Sequence, residues 1–328
     1  MDRRLVAVAM VLGGCSINMM TLEHIVVDPF GKQFGNALTL LQFVTVAVGG
    51  LLLNVRPQRG SRFRDGRPAG WPAMRLKPRQ LPMSRLLLMA ATFWCVSVIN
   101  NIVFNLGISV PLHTVCRSSS LLVSMALGLF NGKRYTVAQV GCAVAVAGGL
   151  ANLNLLTARE KAVSNEDPTS LWWWLVGVGL LATSVLLSAA LGTMQDAMYA
   201  QARKTVGNAT LWPEALLYSH LLTIPFFFLV ESPATLVKKL QALPQGLVLQ
   251  VVGNVSSQFV CICGVYTLVE STSAFTMTMT ITVRKFLSLL ASIVYFGHYR
   301  TFTAEHWVSV VAVSIGAAVY PLLQFWKR

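Results

Sequence analysis

Carboxylates are scarce in this chain. Its 328 residues hold 12 Asp and Glu against 26 Lys and Arg, and no two acids share the face of an apolar segment. That excludes the paired acid and base of most hydrolytic chemistry. Charge of either sign is thin, at 12% of residues, where soluble domains carry about 25%. A glycine-rich phosphate loop and a His-Glu-x-x-His zinc helix are both missing, and no Ser/His/Asp arrangement stands out. An enzyme is therefore not indicated, and neither a cofactor nor a metal is expected. The basic residues lack interleaved aromatics, so nucleic acid is not an expected partner. Six cysteines (Cys15, Cys95, Cys116, Cys142, Cys261 and Cys263) all fall in apolar runs, none with C-x-x-C spacing. They read as free thiols packed like small apolar residues.

What is abundant is apolar length. The chain is 55% hydrophobic, with a mean hydropathy of +0.61. A membrane-spanning helix needs roughly 20 mostly apolar residues. About ten such runs occur, near 4–22, 36–55, 84–106, 110–130, 136–156, 171–191, 212–231, 245–265, 275–296 and 305–325. The fold class is therefore all-α integral membrane, with the lipid bilayer as solvent. The first run ends in polar residues and reads as a span, not a cleaved leader. Ten spans place both termini on one side. Alternate loops and the two ends hold 17 of the 26 Lys and Arg, nine of them in the tract from Arg56 to Arg85. The opposite side holds six, so the termini and the tract are expected in the cytosol. Five prolines in the tract predict an irregular loop, serving as a topology determinant and in reach of anionic headgroups.

One segment occurs twice. At a constant offset of 167 residues, Arg117 falls on Arg284, Lys133 on Arg300, Tyr135 on Phe302, Thr136 on Thr303 and Gly149 on Gly316. An odd number of spans per copy inverts the second, which predicts two inverted five-helix repeats. The first covers 1–157 and the second 171–328, joined by a lumenal linker at 158–170. Such repeats place a polar site near the bilayer midplane.

Charges inside spans are costly and face a cavity or a partner. Arg117, Arg284 and Lys285 are the three Lys and Arg left inside the spans once the loops and span ends are counted. His113 lies one turn before Arg117. Lys285 lies about 100° round the helix from Arg284, so the two cannot point the same way. A purely structural reading pairs the arginines with Glu23, Glu270 or carbonyl groups. Amides form short stripes: Asn254 with Ser257 and Gln258, and Asn100 with Asn101 and Asn105. Tyr218 and His220 add stacking and hydrogen bonding suited to a base or sugar. Buried amides also bond helix to helix. Glu23, in a lumenal cluster with His24 and Asp28, can meet a cavity cation or be an interfacial charge.

Gly14-Cys15-Ser16, Leu22-Glu23, Leu41-Gln42-Phe43, Ser97 to Asn101, Pro111-Leu112-His113, Arg117-Ser118, Gln258 to Cys261 and Thr282 to Phe286 span nearly the whole chain. Together they resemble the nucleotide-sugar transporters of the drug/metabolite transporter superfamily, in the branch carrying UDP-N-acetylglucosamine and UDP-xylose. The resemblance implies ten spans, cytosolic termini, a Golgi or endoplasmic reticulum membrane, and exchange of a cytosolic UDP-sugar for lumenal UMP. It also implies that Lys285 meets the ligand phosphates and that Tyr218-Ser219-His220 contacts the nucleotide. A related pattern has Asn at Ser219. A different cargo on the same fold (another nucleotide-sugar or a phosphorylated metabolite) and a non-transporting polytopic protein stay open. The sugar and the oligomeric state are not legible, and a homodimer is compatible with the sequence.

Overall fold

The computed structural model describes residues 2–28, 30–31, 34–57, 74–106, 116, 119–161, 171–207, 209–295 and 303–325. The described chain is helical almost throughout. The helices are α1 (Arg3–Val27), α2 (Gly35–Asn54), α3 (Met83–Ile102), α4 (Ser120–Phe130), α5 (Val137–Lys161), α6 (Leu171–Val206), α7 (Trp212–Phe227), α8 (Pro233–Gln241), α9 (Gln245–Ser271), α10 (Ala274–Tyr295) and α11 (Ala304–Phe325). Among the described residues, α1, α2, α3, α6 and α9 are long and apolar enough to cross a membrane. At most a third of each of those spans is buried inside the protein, so their outward faces are apolar by design for lipid. Each apolar run of the sequence overlaps one helix. The extra helix, α8, is short, capped by Ser232 with Pro233 behind it, and ends in Lys238 and Lys239.

Local signals set the ends. Asp2 caps α1 by accepting from Arg4 N at 3.0 Å. Gly132 follows α4 at φ 77° and Gly207 follows α6 at φ 64°; both take a left-handed turn that side chains resist. Thr136 and Gln139 exchange bonds as a capping box at the start of α5. At the start of α11, 167 residues on, the Thr303 N–H likewise bonds the side chain three residues ahead, His306 Nδ1, while His306 N donates to the Thr303 carbonyl instead of its hydroxyl.

The same offset governs how α5 and α11 cross. Gly149 lies against Ser309 O and Val313, and Gly316 lies against Cys142 O and Val146. Each contact maps onto the other when 167 is added to one partner and subtracted from the other, so this crossing has local two-fold symmetry. A Cβ on either glycine would stand 2.7 Å from a valine methyl.

The longest seam joins α1 and α9, which run antiparallel. Arg3 pairs with Glu270 at one end. Further along, Gly264 fits against Ala7 and Met10, and Gly14 against Cys261. Beyond these, Asn18 and Asn254 each donate to the other's carbonyl at 3.0 Å. Cys15 and Cys261 are joined in a disulfide. This corrects the expectation of six free thiols. Gly14 lets the two backbones approach until the neighbouring sulfurs meet, while Cys95, Cys116, Cys142 and Cys263 are free. The seam yields a sharp prediction. Gly14→Val puts a Cβ 2.8 Å from Cys261 N, whereas nothing lies within 4 Å of a Cβ on Gly13. Gly14→Val is expected to lower the thermal midpoint in detergent, at an overpacking cost of about 1–3 kcal/mol. Gly13→Ala should leave it unchanged.

Most of the basic tract, 58–73, lies outside the described residues, but its two described ends are not irregular. Val55–Pro57 (β1) and Met74–Leu76 (β2) pair as an antiparallel ribbon with Arg56 opposite Arg75.

Candidate functional site

Arg284 lies on α10 and is only 6% exposed. Its Nη1 donates to the Cys15 carbonyl of α1 at 3.2 Å, and its Nε is buried without a partner. Cys15 belongs to an apolar cluster with Val11 and Cys261, on which Val265 and Ile281 pack. No carboxylate neutralises Arg284 among the described residues. The pairing with Glu270 that the sequence allowed does not occur: Glu270 receives Arg3 and the backbone N–H groups of Leu211 and Trp212 instead. The alternative of a carbonyl partner does. A buried guanidinium with a spare donor is equipped to hold an anion.

The amides divide between helix fastening and open faces. Asn254 donates to Asn18 O and to Thr21 Oγ1 at 3.1 Å, and accepts from Gln42 Nε2 at 2.6 Å. It ties α1, α2 and α9 together. Gln258, one turn further, is half-buried and makes no side-chain hydrogen bond among the described residues. The Cys15–Cys261 link puts the turn bearing Gln258 beside the α1 turn that Arg284 touches. Asn100 accepts from Ser184 Oγ at 2.8 Å, joining α3 to α6, and Asn101 donates to Asn36 Oδ1 at 2.9 Å near the surface.

On α7 the polar pattern turns inward. His220 Nδ1 bonds Leu216 O at 2.8 Å, and its ring packs between Phe43 and Phe93. Ser219 Oγ lies 2.6 Å from Tyr266 OH. Tyr218 is half-buried against the largest apolar cluster, which includes Leu216 and Tyr266. Ser219 and His220 therefore hold α7 to its neighbours, and Tyr218 is the freer aromatic of the three. Arg117 and His113 lie outside the described residues, as do the side chains of Lys285 and Glu23.

Two acids are central to one end of the bundle: Glu270, which the sequence offered as a partner for the arginines, and Glu214, which it did not single out. Glu214 is 7% exposed and accepts from Gln80 N and Leu81 N at 2.8 and 2.7 Å. Glu270 does the same for Leu211 and Trp212. Lys133, in the turn between α4 and α5, bonds Asp196 of α6. Burial, followed by the Asp196 charge, pushes the Tyr135 hydroxyl in that turn up from its ordinary value. The signal for Glu214 was present in Trp212-Pro213-Glu214: proline and then an acid mark a helix start.

Related proteins match along the whole of this framework. A UDP-xylose and UDP-N-acetylglucosamine transporter of Danio rerio is 33% identical over 334 residues, covering 96% of this chain and 93% of its own. A UDP-N-acetylglucosamine transporter of Dictyostelium discoideum is 31% identical, covering 96% and 90%. An endoplasmic reticulum GDP-fucose transporter of Drosophila melanogaster is 28% identical, covering 97% and 90%. A solved crystal structure shares the fold at TM-score 0.60 and 13% identity, over 96% of this chain and 98% of that one. The model of the UAA transporter family matches residues 3–324, and the chain belongs to that family of nucleotide-sugar transporters.

Proposed function

We propose that this protein exchanges a cytosolic UDP-sugar, UDP-N-acetylglucosamine or UDP-xylose, for lumenal UMP by alternating access in a Golgi or endoplasmic reticulum membrane. The observation that carries the mechanism is Arg284, a buried guanidinium with an unpartnered Nε and no carboxylate beside it among the described residues. A nucleotide diphosphate supplies the missing anion, and desolvation makes that pairing strong where geometry is good. Lys285, Arg117 and His113 contribute from the same and the facing span, with Glu23 as their partner when the site is empty. Tyr218 and Gln258 take the base or sugar. Asn254, His220, Asn100 and Asn101 shape the walls by fixing the helices.

The two-fold crossing of α5 and α11 supports two inverted five-helix repeats, 1–157 and 171–328, with both termini cytosolic. A loaded site lets the repeats rock and an empty one does not, so exchange is obligatory. The GDP-fucose transporter among the relatives favours one second reading, a guanine nucleotide-sugar as cargo.

Purified protein in liposomes preloaded with UMP distinguishes these. Labelled UDP-N-acetylglucosamine, UDP-xylose, GDP-mannose and GDP-fucose are offered separately, with Lys285→Ala alongside. Uptake of a UDP-sugar that depends on internal UMP and fails in the variant is the expected result. Uptake of only a GDP-sugar overturns the cargo, and uptake indifferent to internal UMP overturns obligatory exchange.

A further inference from the structure

The ribbon after α2 is built in a way that a topology signal does not need. A positive-inside signal requires only charge near the span ends, which any irregular loop supplies. Here β1 continues α2 without a break, and Lys77 Nζ donates to Leu53 O at 3.0 Å, anchoring the return strand on the carbonyl end of α2. The ribbon therefore starts where the apolar span stops. Its register sets Arg56 directly opposite Arg75. Opposed residues share a face, and like charges so placed repel. Both arginines are exposed, and neither has an ion-pair partner among the described residues. Arg3, Lys133 and Lys239, by contrast, each meet a carboxylate.

The neighbouring register pair is apolar. Val55 stands opposite Leu76 on the alternate face, and Leu76 is 43% exposed. A ribbon with one apolar and one basic face, set at the end of a span, fits a membrane surface. The chemistry of the basic face narrows the lipid. Guanidinium forks bind phosphate oxygens bidentately. Two forks on opposed strands suit one doubly charged phosphate between them. The surrounding tract from Arg56 to Arg85 holds nine Lys and Arg and one acid, Asp65.

We propose that the β1–β2 ribbon is a docking surface for an anionic lipid of the leaflet on which it lies. Arg56 and Arg75 clasp the phosphomonoester of an inositol lipid headgroup, and Leu76 meets the boundary of the acyl region. Bound lipid turns the repulsion between the two arginines into a shared attachment, and fixes the ends of α2 and α3 relative to the membrane.

The test is binding, and it does not depend on which nucleotide-sugar is carried. Full-length protein in detergent is titrated with a short-chain phosphatidylinositol monophosphate, with short-chain phosphatidylserine and inorganic phosphate as comparators. Wild-type protein should prefer the inositol lipid, and less so as salt rises. R56Q/R75Q should bind at least about tenfold more weakly, as two lost cationic contacts imply. R56K/R75K keeps the charge but removes the forks, and should also lose the preference. Unchanged binding in R56Q/R75Q overturns the site. Wild-type behaviour in R56K/R75K, or equal affinity for phosphatidylserine, overturns the clasp and leaves only diffuse charge. The Lys variant keeps the orientation signal intact, so a lost preference there is not a folding or topology effect.

Discussion

Arg284→Met should abolish nucleotide-sugar exchange while leaving the protein at least as heat-stable as the wild type. The two halves of this expectation come from one geometry. A cation at the centre of a membrane helix costs about 2.5–3.5 kcal/mol on insertion scales. Arg284 recovers part of that through the Cys15 carbonyl, but its Nε stays buried and unbonded, and no carboxylate offsets it among the described residues. Methionine has a similar reach, is an adaptable apolar filler, and leaves nothing unsatisfied. Swapping a buried ion for an apolar side chain of similar size is often neutral or stabilising. Under the proposed exchange, loss of the charge assigned to phosphate should lower transport by at least about 100-fold, near 3 kcal/mol.

The measurements are UMP-dependent uptake in liposomes and the thermal midpoint with and without UMP. Ligand that binds the native state raises the midpoint, so wild-type protein should show a shift that the variant lacks. A variant that melts lower and still exchanges would make Arg284 a structural residue.

Much of this was legible in the sequence, for a reason tied to the solvent. In a bilayer every backbone group must be bonded within a helix, so long apolar runs translate directly into helices. Arg284 stood out because an ion in such a run is rare. The 167-residue offset was visible at Gly149 and Gly316, where the crossing of α5 and α11 leaves no room for a side chain. Pairings between distant segments were not visible. Cys15 and Cys261 are 246 residues apart, and their spacing carries no signal. Arg56 and Arg75 looked like scattered loop charges, because strand register is set by where α2 and α3 end in space. Asn254 shows the limit of reading polar residues in spans as ligands: its amide is spent on α1 and α2, as buried amides in membranes often are. Gln258, on the same stripe, is not.

Glu270→Ala should destabilise the protein more than removal of its ionic partner. Glu270 is 4% exposed, at the end of α9. Its Oε1 accepts from Leu211 N at 2.6 Å and Trp212 N at 3.2 Å, and its Oε2 from Arg3 at 2.6 Å. The first N–H groups of α7 have no partner within the helix, and Leu211 offers no side-chain cap. The carboxylate therefore serves as a cap from another helix, with its charge set against the positive end of the α7 dipole. Alanine strands the buried Leu211 donor and the half-buried Trp212 donor, and hydrogen bonds to a charged group are worth about 1.5–3 kcal/mol. Arg3 is 48% exposed on its side chain and rehydrates when its partner is lost, so Arg3→Ala should cost under about 1 kcal/mol. Glu270→Gln keeps an acceptor without the charge and should fall between the two. The order of thermal midpoints, Arg3→Ala above Glu270→Gln above Glu270→Ala, is the observable. Equal losses for Arg3→Ala and Glu270→Ala would assign the role to the ion pair instead of the cap. The consequence reaches the site, because this one carboxylate fastens α1, α7 and α9. Those are the helices that present the Cys15 carbonyl to Arg284 and carry Tyr218 and Gln258, so loosening their shared end should weaken UMP binding without touching a ligand contact.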